Sequence, residues 1–180
     1  MPISASTGAI NVLAQRLEDA EGIGQFDMIC AFHVLEHSPD PLGFLECCRE
    51  LLAEGGRIYL EVPNINEALM TIYDIPSFRN LFYRKAHCYY YSAETLAMLM
   101  SKAGHKGEIT FAQDYSIFNH LHWLARGCGQ SNRAAGEAVP EAMEPVGGFL
   151  KEINTKYQKL LESTGRAENL CYLGVINDSR

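Results

Sequence analysis

The sequence predicts a three-layer α/β domain, and three observations predict it. Residues Phe26 to Phe32 (Phe-Asp-Met-Ile-Cys-Ala-Phe) are a nearly continuous apolar run. That is the pattern of a strand buried on both faces of a parallel sheet. A helix-start signal follows at Ser38-Pro39-Asp40-Pro41, with Asp40 as N-cap and Pro41 at the first helical position. Arg57 to Val62 (Arg-Ile-Tyr-Leu-Glu-Val) then reads as a second strand, closed by Pro63-Asn64. Strand, helix and strand in so short a span make a βαβ unit, which forces a parallel pair and a right-handed crossover.

Each further element has its own signal. Leu42, Leu45, Cys48, Leu51 and Leu52 recur at helical spacing after Pro41, and Gly55-Gly56 is expected to stop that helix. Residues 65–91 are aromatic-rich without a clean period and are expected to form a cap over one end of the sheet. Ser92 caps a helix with an apolar face of Leu96, Leu99, Met100 and Ala103, ended by Gly104. Residues 108–113 read as a third strand and Ile117 to Ala125 as a short helix carrying Phe118, Leu121 and Trp123. Residues 127–148, rich in Gly, Ala, Glu and Pro, are expected to be a mobile loop. Phe149, Leu150, Ile153, Tyr157, Leu160 and Leu161 give the cleanest amphipathic helix, and residues 170–176 close the sequence as a buried strand.

Composition narrows the function classes. The 180 residues suit a single domain, 1–180, and a net charge of −7 argues against a nucleic-acid binder. No stretch is apolar for long enough to span a membrane, and the first residues lack the basic and apolar regions of a secretory signal, so a cytoplasmic protein is expected. Cys30, Cys47, Cys48, Cys88, Cys128 and Cys171 contain no C-x-x-C pair, and they read as reduced core thiols.

Two blocks carry a resemblance. The first is Ala31-Phe32-His33-Val34-Leu35-Glu36-His37-Ser38-Pro39-Asp40-Pro41, followed by Leu51-Leu52-Ala53-Glu54-Gly55-Gly56-Arg57 and Glu61-Val62-Pro63-Asn64. The second is His87-Cys88-Tyr89-Tyr90-Tyr91-Ser92-Ala93-Glu94-Thr95-Leu96, running on to Ala103-Gly104. In this order they resemble the middle and later part of the class I S-adenosylmethionine-dependent methyltransferases, over roughly residues 12–125. The resemblance implies a mostly parallel, Rossmann-like sheet whose last strand is antiparallel, S-adenosylmethionine as cofactor, and a small-molecule acceptor such as a sugar or hydroxylated ring.

One part of the family pattern is missing. The family places a Gly-rich turn, typically D-x-G-x-G, after its first strand, so that the backbone can approach the cofactor. Here the only upstream G-x-G is Gly22-Ile23-Gly24, with no strand of its own before it, and the domain reads as truncated on its N-terminal side. Asn11 to Leu17 is a candidate for the family's third strand. A remnant that binds no cofactor and serves as an interaction domain is therefore the alternative to an active enzyme.

The candidate site residues follow from the resemblance. Glu18 and Asp19 would accept from the adenine amine, or else form an exposed acidic turn. Phe32, His33 and Glu36 stand at a parallel strand's C-terminal end, where open α/β sheets bind ligands, and would line the cofactor; the alternative for Glu36 and His37 is that they shape the loop and satisfy backbone amides. His37 and His87 are the candidate proton acceptors for an acceptor hydroxyl, because imidazole titrates near neutrality. Some quinone-modifying relatives hold a divalent ion with carboxylates in this loop; His33 replaces one of them, and no metal is expected. The tyrosines beside His87 read as core, and Gln113, Asp114, Tyr115, Asn119, His120 and Trp123 as helix packing around the indole. An open edge on the strand at 26–32 would be covered by residues 9–14 or by a second copy, and a homodimer is expected.

Overall fold

The structure is a computed structural model that describes residues 13–20, 22–130 and 145–177. Its strands are β1 (Phe26–Phe32), β2 (Leu52–Pro63), β3 (His105–Ala112) and β4 (Asn169–Ile176). Its helices are α1 (Pro41–Leu51), α2 (Ala68–Thr71), α3 (Pro76–Phe82), α4 (Ala93–Lys102), α5 (Ile117–Arg126) and α6 (Val146–Ser163). The sheet order is β1-β2-β4-β3, with β1 parallel to β2 and β4 antiparallel to both of its neighbours. Three strands thus share one direction and the last is reversed, as the family pattern implies.

Local chemistry sets the element ends. The Asp40 carboxylate accepts from the Gly43 N–H at 3.0 Å, and Pro41 opens α1. A Cβ at position 43 would collide with that carboxylate, so the glycine makes room for the cap. Ser92 and Thr95 form a reciprocal capping box at the start of α4, and Gly104 follows it at φ +82°. Gly55-Gly56 does not stop α1. The helix ends at Leu51, and the glycines lie in an irregular start of β2, where Leu52 faces Phe26 and Arg57 already faces Met28. Gly56 is required there because a Cβ would press on the Ala53 and Phe26 carbonyls.

Alternate residues of the strands meet different surroundings. Ala31, Ile58, Leu60, Val62, Leu170 and Tyr172 form one core with Leu45 and Cys48 of α1 and Leu96 and Met100 of α4. On the opposite face Phe26, Met28, Cys30 and Phe32 are exposed, so β1 is buried on one face rather than two. Strand alternation explains the correction, because Cys30 points away from Ala31 and cannot reach the core. Among the described residues no strand pairs with the outer edge of β1. Residues 9–12 lie outside the described residues; Leu13 to Arg16 form no strand, and Leu17–Asp19 is one turn of 3-10 helix instead of a strand end.

Residues 65–91 contain α2 and α3, whose Leu69, Met70, Phe78 and Phe82 make a second core with Trp123 of α5. Of residues 127–148, 131–144 lie outside the described residues, and 146–148 form the first turn of α6 rather than loop. Tyr91 is buried and Tyr90 packs on Phe82, whereas Tyr89 is exposed and is not core. Asn64 ties the ends of this region together. Its amide donates to the Gly165 and Ala167 carbonyls at 3.1 and 2.8 Å, and its Oδ1 accepts from the Asn66 N–H.

Candidate functional site

β1 and β2 run parallel, so their C-terminal ends open on the same side, where a cavity of about 310 Å³ lies. The loop leaving β1 supplies His33, Glu36 and His37 to its wall, and the segment after α3 supplies Arg84 and His87. Glu67, Glu168, Asp114 and Tyr115 line it as well. Phe78, Leu81 and Phe82 of α3 give it an apolar wall.

Backbone bonds join the two sequence blocks here. The Glu36 carbonyl accepts from the N–H groups of Cys88 and Tyr89 at 2.7 and 3.2 Å. His37 Nδ1 lies 2.8 Å from the Ala86 carbonyl, which can only accept, so Nδ1 carries a proton, and Nε2 lies 3.9 Å from Glu36 Oε1. The His37 and His87 rings meet edge to face with centroids 4.8 Å apart. Burial holds the His87 pKa below the ordinary imidazole value, and the neighbouring His37 lowers it further. Its Nδ1 is buried without a hydrogen-bond partner.

His33 occupies the left-handed region at φ 53°. Its Nδ1 is 3.4 Å from Glu36 Oε1 and its Nε2 is 3.3 Å from Glu61 Oε1. The Glu36 bond raises the His33 pKa against partial burial. Glu36 is 2% exposed, and its second oxygen has no partner. Glu36, His37 and His87 bring three potential ligand atoms within 4.8 Å of one another, one of them from the later sequence block.

The structure therefore gathers His33, Glu36, His37 and His87 in one cavity. Phe32 ends β1 on the opposite, exposed face against Tyr59, ring to ring at 5.4 Å. Glu18 pairs with Arg16 within its own turn, and neither Glu18 nor Asp19 lines the cavity. The group around Trp123 divides: His120, Asn119 and Gln113 are buried, while Asp114 and Tyr115 reach the cavity. Sequence reasoning missed Glu67 and Glu168. The one available signal was a glutamate just after the Pro63-Asn64 strand end, on the same side of the sheet as Glu36.

The family cofactor fits the described residues in part. Glu36, with an oxygen free to accept, suits a ligand rich in hydrogen-bond donors. No glycine-rich turn follows a strand on this side among the described residues; Gly22 and Gly24, at φ +69° and +86°, precede β1. No helix among the described residues is long and apolar enough to cross a membrane.

Comparison with known proteins agrees with this fold. A family model described as a methyltransferase domain matches residues 5–108. A ubiquinone biosynthesis O-methyltransferase of Xanthomonas campestris is 35% identical over 69 residues, covering 37% of this chain and 29% of the relative. That of Psychrobacter arcticus is 30% identical over 107 residues, covering 57% and 42%. The chain thus matches less than half the length of these curated relatives. A SAM-dependent methyltransferase from Archaeoglobus fulgidus shares the fold at TM-score 0.55 and 20% identity, covering 93% of this chain and 68% of that one. One from Thermotoga maritima does so at 0.54 and 15%, covering 92% and 63%. With the family model matching more than half of its length, the chain belongs to the class I S-adenosylmethionine-dependent methyltransferase family, whose cofactor is S-adenosylmethionine.

Proposed function

We propose that this protein takes part in methyl transfer to a hydroxyl of a small molecule, a sugar or hydroxylated ring, with the cavity between α3 and the β1 loop as the acceptor site. The observation that carries the reading is the His37–His87 pair, with His37 Nδ1 committed to the Ala86 carbonyl and Nε2 left to accept a proton. The bound cofactor supplies an electrophilic methyl group. The chain's own part is to hold the acceptor against Phe78 and Phe82, remove its proton at His37 with His87 alongside, and exclude water. His33 and Glu36 would serve the cofactor side, and residues 65–91 the cap. Support for an oxygen acceptor comes from the curated O-methyltransferases, and the six free thiols suit a reducing cytoplasm.

The exposed apolar face of β1 favours a second reading, in which the chain acts as an interaction domain or homodimer without turnover. Calorimetric titration with S-adenosylhomocysteine separates the two. Micromolar affinity is expected for the enzyme, and no heat at millimolar ligand overturns it for this chain. Transfer of a labelled methyl group to a panel of catechols and sugars, lost in His37→Ala, completes the test.

A further inference from the structure

Two lining residues of the cavity, Glu67 and Glu168, have a chemistry that proton removal at His37 does not use. Glu67 is 3% exposed, and its Oε2 is buried without a hydrogen-bond partner although the residue lines the cavity. Glu168 lines the same cavity and is buried as well. One residue sets both: the Asn64 carbonyl accepts from the Glu67 N–H at 3.1 Å, and the Asn64 N–H donates to the Glu168 carbonyl at 2.8 Å. The Glu67 carbonyl also takes the Met70 and Thr71 N–H groups and the Thr71 hydroxyl, so its backbone is fixed. Two carboxyl groups are thus built into one wall, and Asp114 and Glu36 add to the acidic lining. Arg84 is the one Lys or Arg among the described lining residues.

Leaving a carboxyl oxygen buried and unpaired is costly unless the group takes a proton or meets a cation. Burial first, and the neighbouring Glu168 second, push the Glu67 carboxyl up to about 9. With no ligand the Glu67 group therefore holds a proton at neutral pH. Glu168 is the charge that acts on it, while the Tyr157 hydroxyl is raised chiefly by burial and by its bond to Tyr73, and least by Glu67. Phe78 and Phe82 of α3 line the same cavity.

We propose that Glu67 and Glu168 form an ammonium-binding subsite, and that the acceptor carries a protonated amine in addition to the hydroxyl that is methylated. The proposal rests on the reading of this cavity as the acceptor site. On binding, the ammonium forms an ion pair with the Glu67 carboxylate, and the proton that Glu67 held leaves to solvent; no other bond changes. The cavity volume, about 310 Å³, lies at the small end of ligand sites and suits a one-ring acceptor.

Dopamine and 4-ethylcatechol test this, since they share the catechol and differ in the ammonium. Titrated calorimetrically into the intact chain near neutral pH, in phosphate and in Tris, dopamine is expected to bind about ten-fold tighter or more. It should also show a buffer-dependent heat that reports proton release. Glu67→Gln should remove the preference and the proton release while leaving 4-ethylcatechol binding unchanged. Glu168→Gln serves as the second variant if the first fails to fold, as judged by circular dichroism. Equal affinity for the two ligands, binding of neither, or a preference that survives in the folded variant overturns the proposal. A preference for dopamine without methyl transfer sinks the transferase reading alone; transfer to both catechols with equal affinity sinks the subsite alone.

Discussion

The two faces of the sheet are built from the same strands and end up in opposite surroundings. Leu60 of β2 is fully buried beneath α1 and α4, while its neighbour Tyr59 turns to a face where Met28 is 51% and Phe32 57% exposed. The packed face holds one core of apolar side chains; the other carries Arg57, Glu61 and Glu108 among its apolar residues. The difference teaches that apolar content in β1 does not measure burial, because helices reach only one of its faces among the described residues. It also separates two uses of the strands: one face stabilises, and the strand ends beyond it hold the cavity.

The largest expected effect tests that separation directly. Leu60→Ala should cost about 2–5 kcal/mol, because a buried leucine leaves a cavity as well as lost transfer energy. Phe32→Ala should cost about 0.5 kcal/mol or less, the usual range for exposed positions. Urea unfolding of the two variants checks this, and equal losses would mean that the exposed face is covered in solution.

The second expectation concerns pH. His120 is fully buried between Tyr157 and Tyr73, and burial lowers its pKa to about 4. The unfolded chain takes up that proton near the ordinary imidazole value of about 6.5, so it binds more protons in between. Stability is complete above pH 6.5 and falls, by on the order of 3 kcal/mol, as pH drops to about 4. Glu67 acts with the opposite sign: the folded state keeps its proton up to about 9, so stability is full below the ordinary carboxyl value of 4.5 and declines as pH rises. Thermal unfolding across pH should show His120→Gln flattening the acid limb and Glu67→Gln the alkaline one.

A third and smaller effect lies at the start of α4, which covers the packed face. Ser92→Ala removes the side chain that accepts from Thr95 N–H and should cost about 1 kcal/mol. The equivalent change at a free surface serine should cost little, and thermal melts compare the two.

Most of the fold was legible because its signals are local. Asp40-Pro41, Ser92-x-x-Thr95 and the apolar runs of β1, β2 and β4 each state their element within a few residues. The start of β2 was not, since glycine pairs serve helix ends and strand irregularities alike, and only the Phe26 carbonyl decides between them. Half of the site was legible: the His37 and His87 blocks name themselves. That they touch depends on the Glu36 carbonyl bonding Cys88 and Tyr89 across the fold. Glu168 stayed hidden because Asn64 holds its segment through contacts about a hundred residues apart in sequence, and Glu67, three residues from Asn64, showed nothing locally of the partner it would meet.

The smallest expected effect on stability carries the largest one on association. Phe26, Met28, Phe32 and Leu173 are each at least 40% exposed on the open face, next to an edge of β1 that no described strand pairs. Unpaired strand edges beside apolar surface are templates for a second chain. The expectation is a homodimer that covers this edge and face, with a mass near twice 20.1 kDa by light scattering at micromolar concentration. Met28→Lys should return the mass to near 20.1 kDa while shifting the unfolding midpoint by no more than an exposed substitution does, about 0.5 kcal/mol. A charge there stays solvated in the monomer but would be buried at a joined edge, where its desolvation opposes pairing. A wild-type mass near 20.1 kDa counts against the dimer, and a Met28→Lys dimer would place the contact on another surface.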